Sequence, residues 1–220
     1  MSDLTPNDLK SLANSFITPE IIEQAKLRRV TDEEGAGIVG RKRNANTDFS
    51  GIVFPYFAPS NVDYPRAYRL RRDTPDLDRK PDGTIKEKGK YLSAPGRTNM
   101  IYFPPGCTTE LLEDNTIPIV ITEGEKKMLA LHRVAWHGLG DAAETPRFLV
   151  LGLPGVWNFR GTVEKALDAK GNRKSVKGLI TDFSLIDLKE RDLTILFDAN
   201  ARTNESIQAA RRCLAKEMSE

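Results

Sequence analysis

Two glutamates flank a single glycine in the stretch Ile117 to Leu131, IPIVITEGEKKMLAL, where an apolar run gives way to a helical pattern. Far downstream, a second apolar run ends in LFDAN, with Asp198 followed two residues later by Asn200. Carboxylates gathered at one place repel each other. A divalent cation is the usual offset, and hard oxygen donors suit Mg²⁺ or Mn²⁺. The glycine after Glu123 lets the backbone turn sharply and lets a phosphate approach. The N-terminal amides of a following helix favour an anion in the same space. Each motif alone reads equally well as ordinary acidity at a helix start. The two together point to a metal–phosphate site in which Glu123, Asp198 and Asn200 are the ligands. Without a metal, the cluster pairs with Lys126 or Lys127.

Such a site needs elements that bring the motifs to one edge. Residues 117–122, 147–152 and 193–198 read as buried apolar strands, and helices are expected after Glu123 and after Asn204. Buried strands alternating with helices predict a parallel α/β sheet, whose ligands bind beyond the carboxyl ends of the strands. GLPGV, Gly152 to Val156, follows the second strand at that edge. On the last helix Ile207, Ala210, Leu214 and Met218 share a face. The polar, Lys-rich segment 158–189 reads as an excursion containing a helix near 162–169. His132, His137 and Trp136 read as packing or surface residues, and Trp157 lies beside the site.

The preceding sequence has another rhythm. Residues 3–34 read as short amphipathic helices, with Thr18 capping and Pro19 at a first helical position. GAGIVG, Gly35 to Gly40, matches a dinucleotide-binding spacing. It lacks the strand before and the helix after that such a site needs, so it reads as a flexible loop. Residues 51–103 read as short strands separated by turns, with a Pro-Asp-Gly turn in KPDGTI. Between Tyr64 and Arg97 there are ten Arg and Lys against five Asp and Glu, interleaved with Tyr64, Tyr68 and Tyr91. Cations neutralise phosphates and aromatic rings stack on unpaired bases. A solvated basic hairpin is the competing reading.

The whole chain holds 33 Lys and Arg against 31 Asp and Glu, so any nucleic-acid footprint is local. Cys107 and Cys213 fit neither a zinc spacing nor a disulfide framework and read as reduced thiols. No apolar run reaches the length of a membrane span, and a cytoplasmic protein is expected.

VITEGEKKMLAL, LVLGLPGVWNF and LTILFDANARTNESIQAARRCLA, in that order, resemble the TOPRIM domain of bacterial-type primases and phage helicase-primases. Upstream, GIVFPYF, YRLRRDTP, GKYLSAPG and YFPPG look like the basic strand-rich subdomain that precedes TOPRIM there. The likeness covers about residues 51 to 215 and is closest to the primase-like TOPRIM proteins of plasmids and integrated elements. It implies a TOPRIM-like parallel sheet at 113–220, shortened at its C-terminus, after a basic subdomain at 49–112 and a helical segment at 1–48. It also implies a metal-dependent nucleotidyltransferase making primers on single-stranded DNA from nucleoside triphosphates, with a replicative helicase as a possible partner. Glu123 and Asp198 would then be catalytic. Arg71 or Arg72, with Lys90 and Tyr91, and with Lys126 and Lys127, would contact nucleotide or template. The sequence departs from the family at Asn200, where a second carboxylate is usual, and at Lys127, where an aspartate often follows. Those departures keep a non-catalytic nucleic-acid-binding module, or a TOPRIM nuclease, as alternatives.

Overall fold

In the computed structural model, which describes residues 3–140, 142–168, 171–198 and 203–219, the chain divides into two compact units, Met1–Arg97 and Thr98–Glu220. The first begins with α1 (Pro6–Ala13) and α2 (Pro19–Gln24), each with proline in its first turn. There its missing N–H costs nothing. Ile21, Ile22, Ala25 and Leu27 are all buried, as the helical spacing predicts.

The glycine-rich stretch is not a loop. It lies largely within α3 (Asp32–Ile38), which starts with a capping box. The Thr31 hydroxyl accepts from the Glu34 N–H, and the Glu34 carboxylate accepts from the Thr31 N–H. The Thr-x-x-Glu pattern was the available signal for this helix. Gly35 is required by close approach, because a Cβ there would stand 2.0 Å from the Phe49 carbonyl oxygen.

β1 (Arg28–Val30), β2 (Gly51–Tyr56), β3 (Ala67–Arg72) and β6 (Tyr91–Ser93) form an antiparallel sheet in the order β1-β2-β3-β6. Val53 and Leu70 on one face pack with Val30, Ala36, Val39 and Phe49. β4 (Asp76–Arg79) and β5 (Ile85–Lys88) pair only with each other. Their connection is the expected turn, closed by Lys80 N–H to the Thr84 carbonyl at 2.9 Å.

The second unit is a mixed α/β arrangement. After α4 (Thr109–Glu113), the run IVITE forms β7 (Ile119–Glu123). α5 (Glu125–Trp136) and β8 (Leu149–Leu153) follow. β9 (Arg160–Leu167), β10 (Arg173–Leu179), a 3-10 turn at Thr181–Leu185, β11 (Leu193–Leu196) and α6 (Glu205–Ser219) complete it. β7 lies between β11 and β8, and both neighbours are parallel to it. The parallel three-stranded sheet is therefore as expected, with strand limits shifted by up to two residues. Ile119, Ile121, Leu149 and Leu151 are buried with Ala210 and Leu214 of α6. Full burial of such side chains is worth roughly 1.5–3 kcal/mol each. The Asn204 side chain caps α6 by accepting from the Ser206 and Ile207 N–H groups.

The expected helix near 162–169 is instead β9 of an antiparallel ribbon with β10. Apolar positions at 163 and 167 mimic helical spacing. The outcome is set by the turn, where Asp168 accepts from the Asn172 N–H and Gly171 takes φ +79°.

One buried cation holds the sheet's lower end. Arg191, 7% exposed, donates to the carbonyls of Ile117, Leu112, Leu111 and Asp187 at 2.7, 2.6, 3.0 and 3.2 Å. Burial lowers its pKa, opposed by Asp114 and Asp187. Nearby in the same core, burial pushes the Cys107 thiol up to about 12. On α5, His132 is buried edge-on to Trp136, and desolvation takes its pKa down to about 4.

Two expectations follow. Arg191→Met leaves several buried carbonyls without donors and should cost about 2–4 kcal/mol, read from the urea midpoint, with Arg191→Lys restoring only part. His132 is protonated more readily unfolded than folded. Its contribution is therefore neutral above pH 6.5 and turns destabilising as pH falls toward 4, by at most about 3 kcal/mol. A His132→Gln variant should show a flatter stability curve across that window.

Candidate functional site

The acidic motifs meet at the carboxyl edge of the parallel sheet. Leu193 stands beside Ile119 and Leu196 beside Thr122, so the chain leaving β11 reaches Asp198 near the end of β7, where Glu123 lies. Gly124 then turns the chain at φ +91°, a value an L side chain rarely adopts, and serves as the cap of α5. Its N–H is bound to the Leu153 carbonyl at 2.8 Å, which fixes the turn against the end of β8. Glu125, in the first turn of α5, is buried rather than exposed. The positive end of the helix dipole favours a carboxylate there.

Lys127 occupies the gap between the two motifs. Its Nζ is 2.5 Å from Asp198 Oδ1 and 3.5 Å from Glu123 Oε2. A lysine in the first turn of a helix opposes the macrodipole, so its place there is explained by the two carboxylates it bridges. All three side chains are part-exposed, at 43% for Lys127, 30% for Glu123 and 44% for Asp198. Each ion pair therefore contributes no more than about 1 kcal/mol to stability. Lys126 lies on the same turn. Asn200 falls outside the described residues. Among the described residues no group of three His, Cys, Asp or Glu is arranged to hold a metal ion.

The loop after β8 is tied to the start of α6. Trp157 stacks on Phe159 with centroids 6.0 Å apart, and its indole N–H donates to the Ser206 hydroxyl at 3.3 Å. It remains 40% exposed, so it both packs and presents a face.

In the first unit the basic residues separate by strand alternation. Successive side chains point to opposite faces of a sheet, so Arg71 and Arg72 cannot serve one surface together. Arg72 points inward and is 2% exposed. It donates to the Asp48 carbonyl at 2.7 Å and to Asp76 at 3.1 Å, and lies over the Phe49 ring at 5.4 Å. Its charge is consumed by the fold. Arg71 is half-buried on the opposite face and pairs in register with Tyr91. Arg69 covers the Tyr91 ring at 5.0 Å. Lys90 is half-exposed and paired with Glu87 at 2.7 Å. Tyr64 and Tyr68 are exposed. The run of two arginines could have been resolved earlier, since Leu70 marks the buried face and Arg72 shares it.

The two arginines predict different variants. If the Arg71 face binds single-stranded DNA, as the resemblance implies, Arg71→Glu with Lys90→Glu weakens binding of a labelled oligo-dT in fluorescence anisotropy and flattens its salt dependence by about two units of slope. The fold should survive. Arg72→Ala should instead lower stability by about 2–4 kcal/mol, because Asp76 and the Asp48 carbonyl lose their donor.

No helix among the described residues is long and apolar enough to cross a membrane. No curated protein and no solved structure matches the chain. One family model does, over residues 109–220, just over half of the chain, from α4 through the acidic edge to the last helix. By that match the chain belongs to the family described as Domain of unknown function (DUF3854).

Proposed function

We propose that this chain is a TOPRIM-like, primase-type nucleotidyltransferase core that extends primers on single-stranded DNA from nucleoside triphosphates. The observation that carries the reading is the meeting of Glu123 and Asp198 at one edge of adjacent parallel strands, around a cation. The order of the strands supports it, with the Glu123 strand in the centre and the Leu-Pro-Gly and Asp198 strands on either side.

The residues fit a divalent metal in kind. Both donors are hard carboxylate oxygens, and the ammonium between them shows that the gap accepts a positive charge. Glu123 and Asp198 would hold Mg²⁺ or Mn²⁺, with Asn200 as a further neutral ligand. Bound there, the metal would supply Lewis-acid stabilisation of charge on phosphoryl oxygens. Two carboxylates make a weak site, so the nucleotide's own phosphates are needed to complete it.

The chain's own residues have these roles. Glu123 accepts the proton of the primer 3′-hydroxyl as its oxygen bonds to the α-phosphorus. The bond from that phosphorus to the β-phosphate oxygen breaks, and pyrophosphate leaves. Lys127, part-exposed at the first turn of α5, would pair with the phosphates of a bound nucleotide. Lys126 adds positive charge on the same turn. In the first unit Arg71, Lys90 and Tyr91 hold the template strand, while Arg72 holds the sheet that carries them. A replicative helicase as partner belongs to the same reading.

A non-catalytic nucleic-acid-binding module is the second reading. Lys127 favours it, since an internal cation already balances the site.

Primer synthesis on single-stranded DNA with Mn²⁺ separates the two. Wild type should incorporate labelled nucleotide, and Glu123→Ala should lose about 10²-fold or more. In calorimetric titration with nucleotide present, Lys127→Gln and Asn200→Asp should each bind Mn²⁺ several-fold tighter than wild type, and Asp198→Ala more weakly. No incorporation by wild type, with equal and negligible heats in all variants, would leave the binding module as the function.

A further inference from the structure

The ribbon of β9 and β10 is outside the acidic site, and the nucleotidyl-transfer reading gives it no role. Residues 160–179 contain six Arg and Lys and two Asp and Glu. Among the described strands, the two pair in a sheet only with each other. Every position from Arg173 to Lys177 is exposed, and so are Thr162 to Lys165 and Leu167. Exposure along both strands means that the ribbon is solvated over most of its length.

Its register sorts charge by face. Arg173 stands opposite Leu167, Lys174 opposite Ala166, Ser175 opposite Lys165 and Val176 opposite Glu164. Paired residues share a face, and faces alternate along each strand. The pairing then slips between Val176 and Lys177, so that Lys177 stands opposite Thr162 and Val163 is the extra residue. A bulge of this kind re-aims the side chains beyond it. The extra residue lies on β9, so it is Thr162 that comes onto the face that Lys177 already shares with Arg173 and Ser175 along β10, and the Lys177 ammonium donates to the Thr162 hydroxyl at 2.8 Å. Val163 turns to the other face, where its methyl carbons would stand 3.3 Å from a Cβ at Gly178. Glu164 lies on that other face too, opposite Val176. The first face therefore presents Lys165, Arg173 and Lys177 with Ser175 and Thr162, the exposed Leu167 opposite Arg173, and neither ribbon carboxylate among the paired positions. Arg160, at the base, is engaged by Glu217 at 2.9 Å and adds nothing free.

A twisted two-stranded ribbon with cations and hydroxyls on one face matches the negative charge of a nucleic-acid backbone. The major groove of a B-form duplex admits a two-stranded ribbon, whereas the narrow major groove of A-form RNA does not. We propose that the β9–β10 ribbon is a docking arm for double-stranded DNA, its Lys165–Arg173–Lys177 face meeting the phosphates that border the groove. The inference is independent of catalysis, because it needs neither metal nor nucleotide.

The test is fluorescence anisotropy of the full chain with a labelled 20-base-pair DNA duplex, in EDTA, over a salt series. Lys165→Glu, Arg173→Glu and Lys177→Glu together should lower duplex affinity at least about tenfold near 0.1 M salt, with the log–log salt slope shallower by about three. The control is a second triple variant with the same net charge, Lys189→Glu, Arg211→Glu and Arg212→Glu, which should leave the slope close to wild type. Circular dichroism and urea midpoints matching wild type show that both variants are folded. If a variant fails that check, Lys165→Gln with Arg173→Gln replaces the ribbon reversal, with a slope shallower by about two expected. Duplex binding unchanged by the ribbon changes, or reduced equally by the control, overturns the proposal. A loss confined to single-stranded oligonucleotide also overturns it. Because EDTA is present throughout, failure here leaves nucleotidyl transfer at the acidic edge unaffected.

Discussion

The parallel pairing of β11 with β7 is the constraint on which the rest depends. Its register carries two acidic strand ends to the same edge, and no local feature of either motif could do that alone. The pairing is long-range in sequence and is made by only four residue pairs. It is held at its start by main-chain carbonyls gathered on Arg191, two residues before β11 begins. A charged side chain thus does at the base of the sheet what a hydrophobic contact cannot. It fixes carbonyls from α4 and from the approach to β7 in direction as well as distance. The electrostatic strain appears at the opposite edge, where two carboxylates meet. There the chain supplies its own counter-ion in Lys127.

This division between a rigid base and a charge-balanced edge explains what can change at the site. Lys127 is part-exposed and on a helix surface, so it can leave its partners at little cost. Glu123 and Asp198 lie at or just beyond strand ends that are anchored behind them. A phosphate or a metal entering the edge would replace one cation's interactions and leave the sheet unaltered. Arg72 in the first unit is the opposite case. Its guanidinium is enclosed, and its hydrogen bonds join the end of β3 to the segment before β2. Losing it would alter the sheet.

The strongly patterned parts of the fold were legible in the sequence. Buried apolar runs ending in acidic or glycine motifs specified the three parallel strands, and the cap at Asn204 specified the last helix. Lys127 was legible only as one of two neighbours able to pair with the carboxylates. The structure selects it, because the first turn of α5 carries Lys127 back over the end of β7, where its ammonium reaches both Glu123 and Asp198. Three features were misread. Arg28–Val30, expected within a helical segment, is the edge strand β1, its β-branched Val30 buried against the sheet's core. In α3, glycines suggested a loop, but the capping box at Thr31 and the need for close approach to Phe49 outweighed their weak helix propensity. In β9, helix-spaced apolar residues competed with a turn that forced a hairpin. Arg191 could not have been found from local pattern, since the carbonyls of Ile117, Leu112 and Leu111 that it binds come from segments more than seventy residues away.

The ribbon of β9 and β10 enters and leaves the second unit between β8 and the 3-10 turn, and pairs with neither β7 nor β11. Its length is therefore not coupled to the register that builds the acidic edge. Additional residues at its tip would add only a slowly growing loop-closure cost. Natural variation can accumulate there while the parallel strands stay fixed. The segment gives the lineage a place to lengthen, shorten or exchange a surface element, so divergence in partner choice can proceed without divergence in the core.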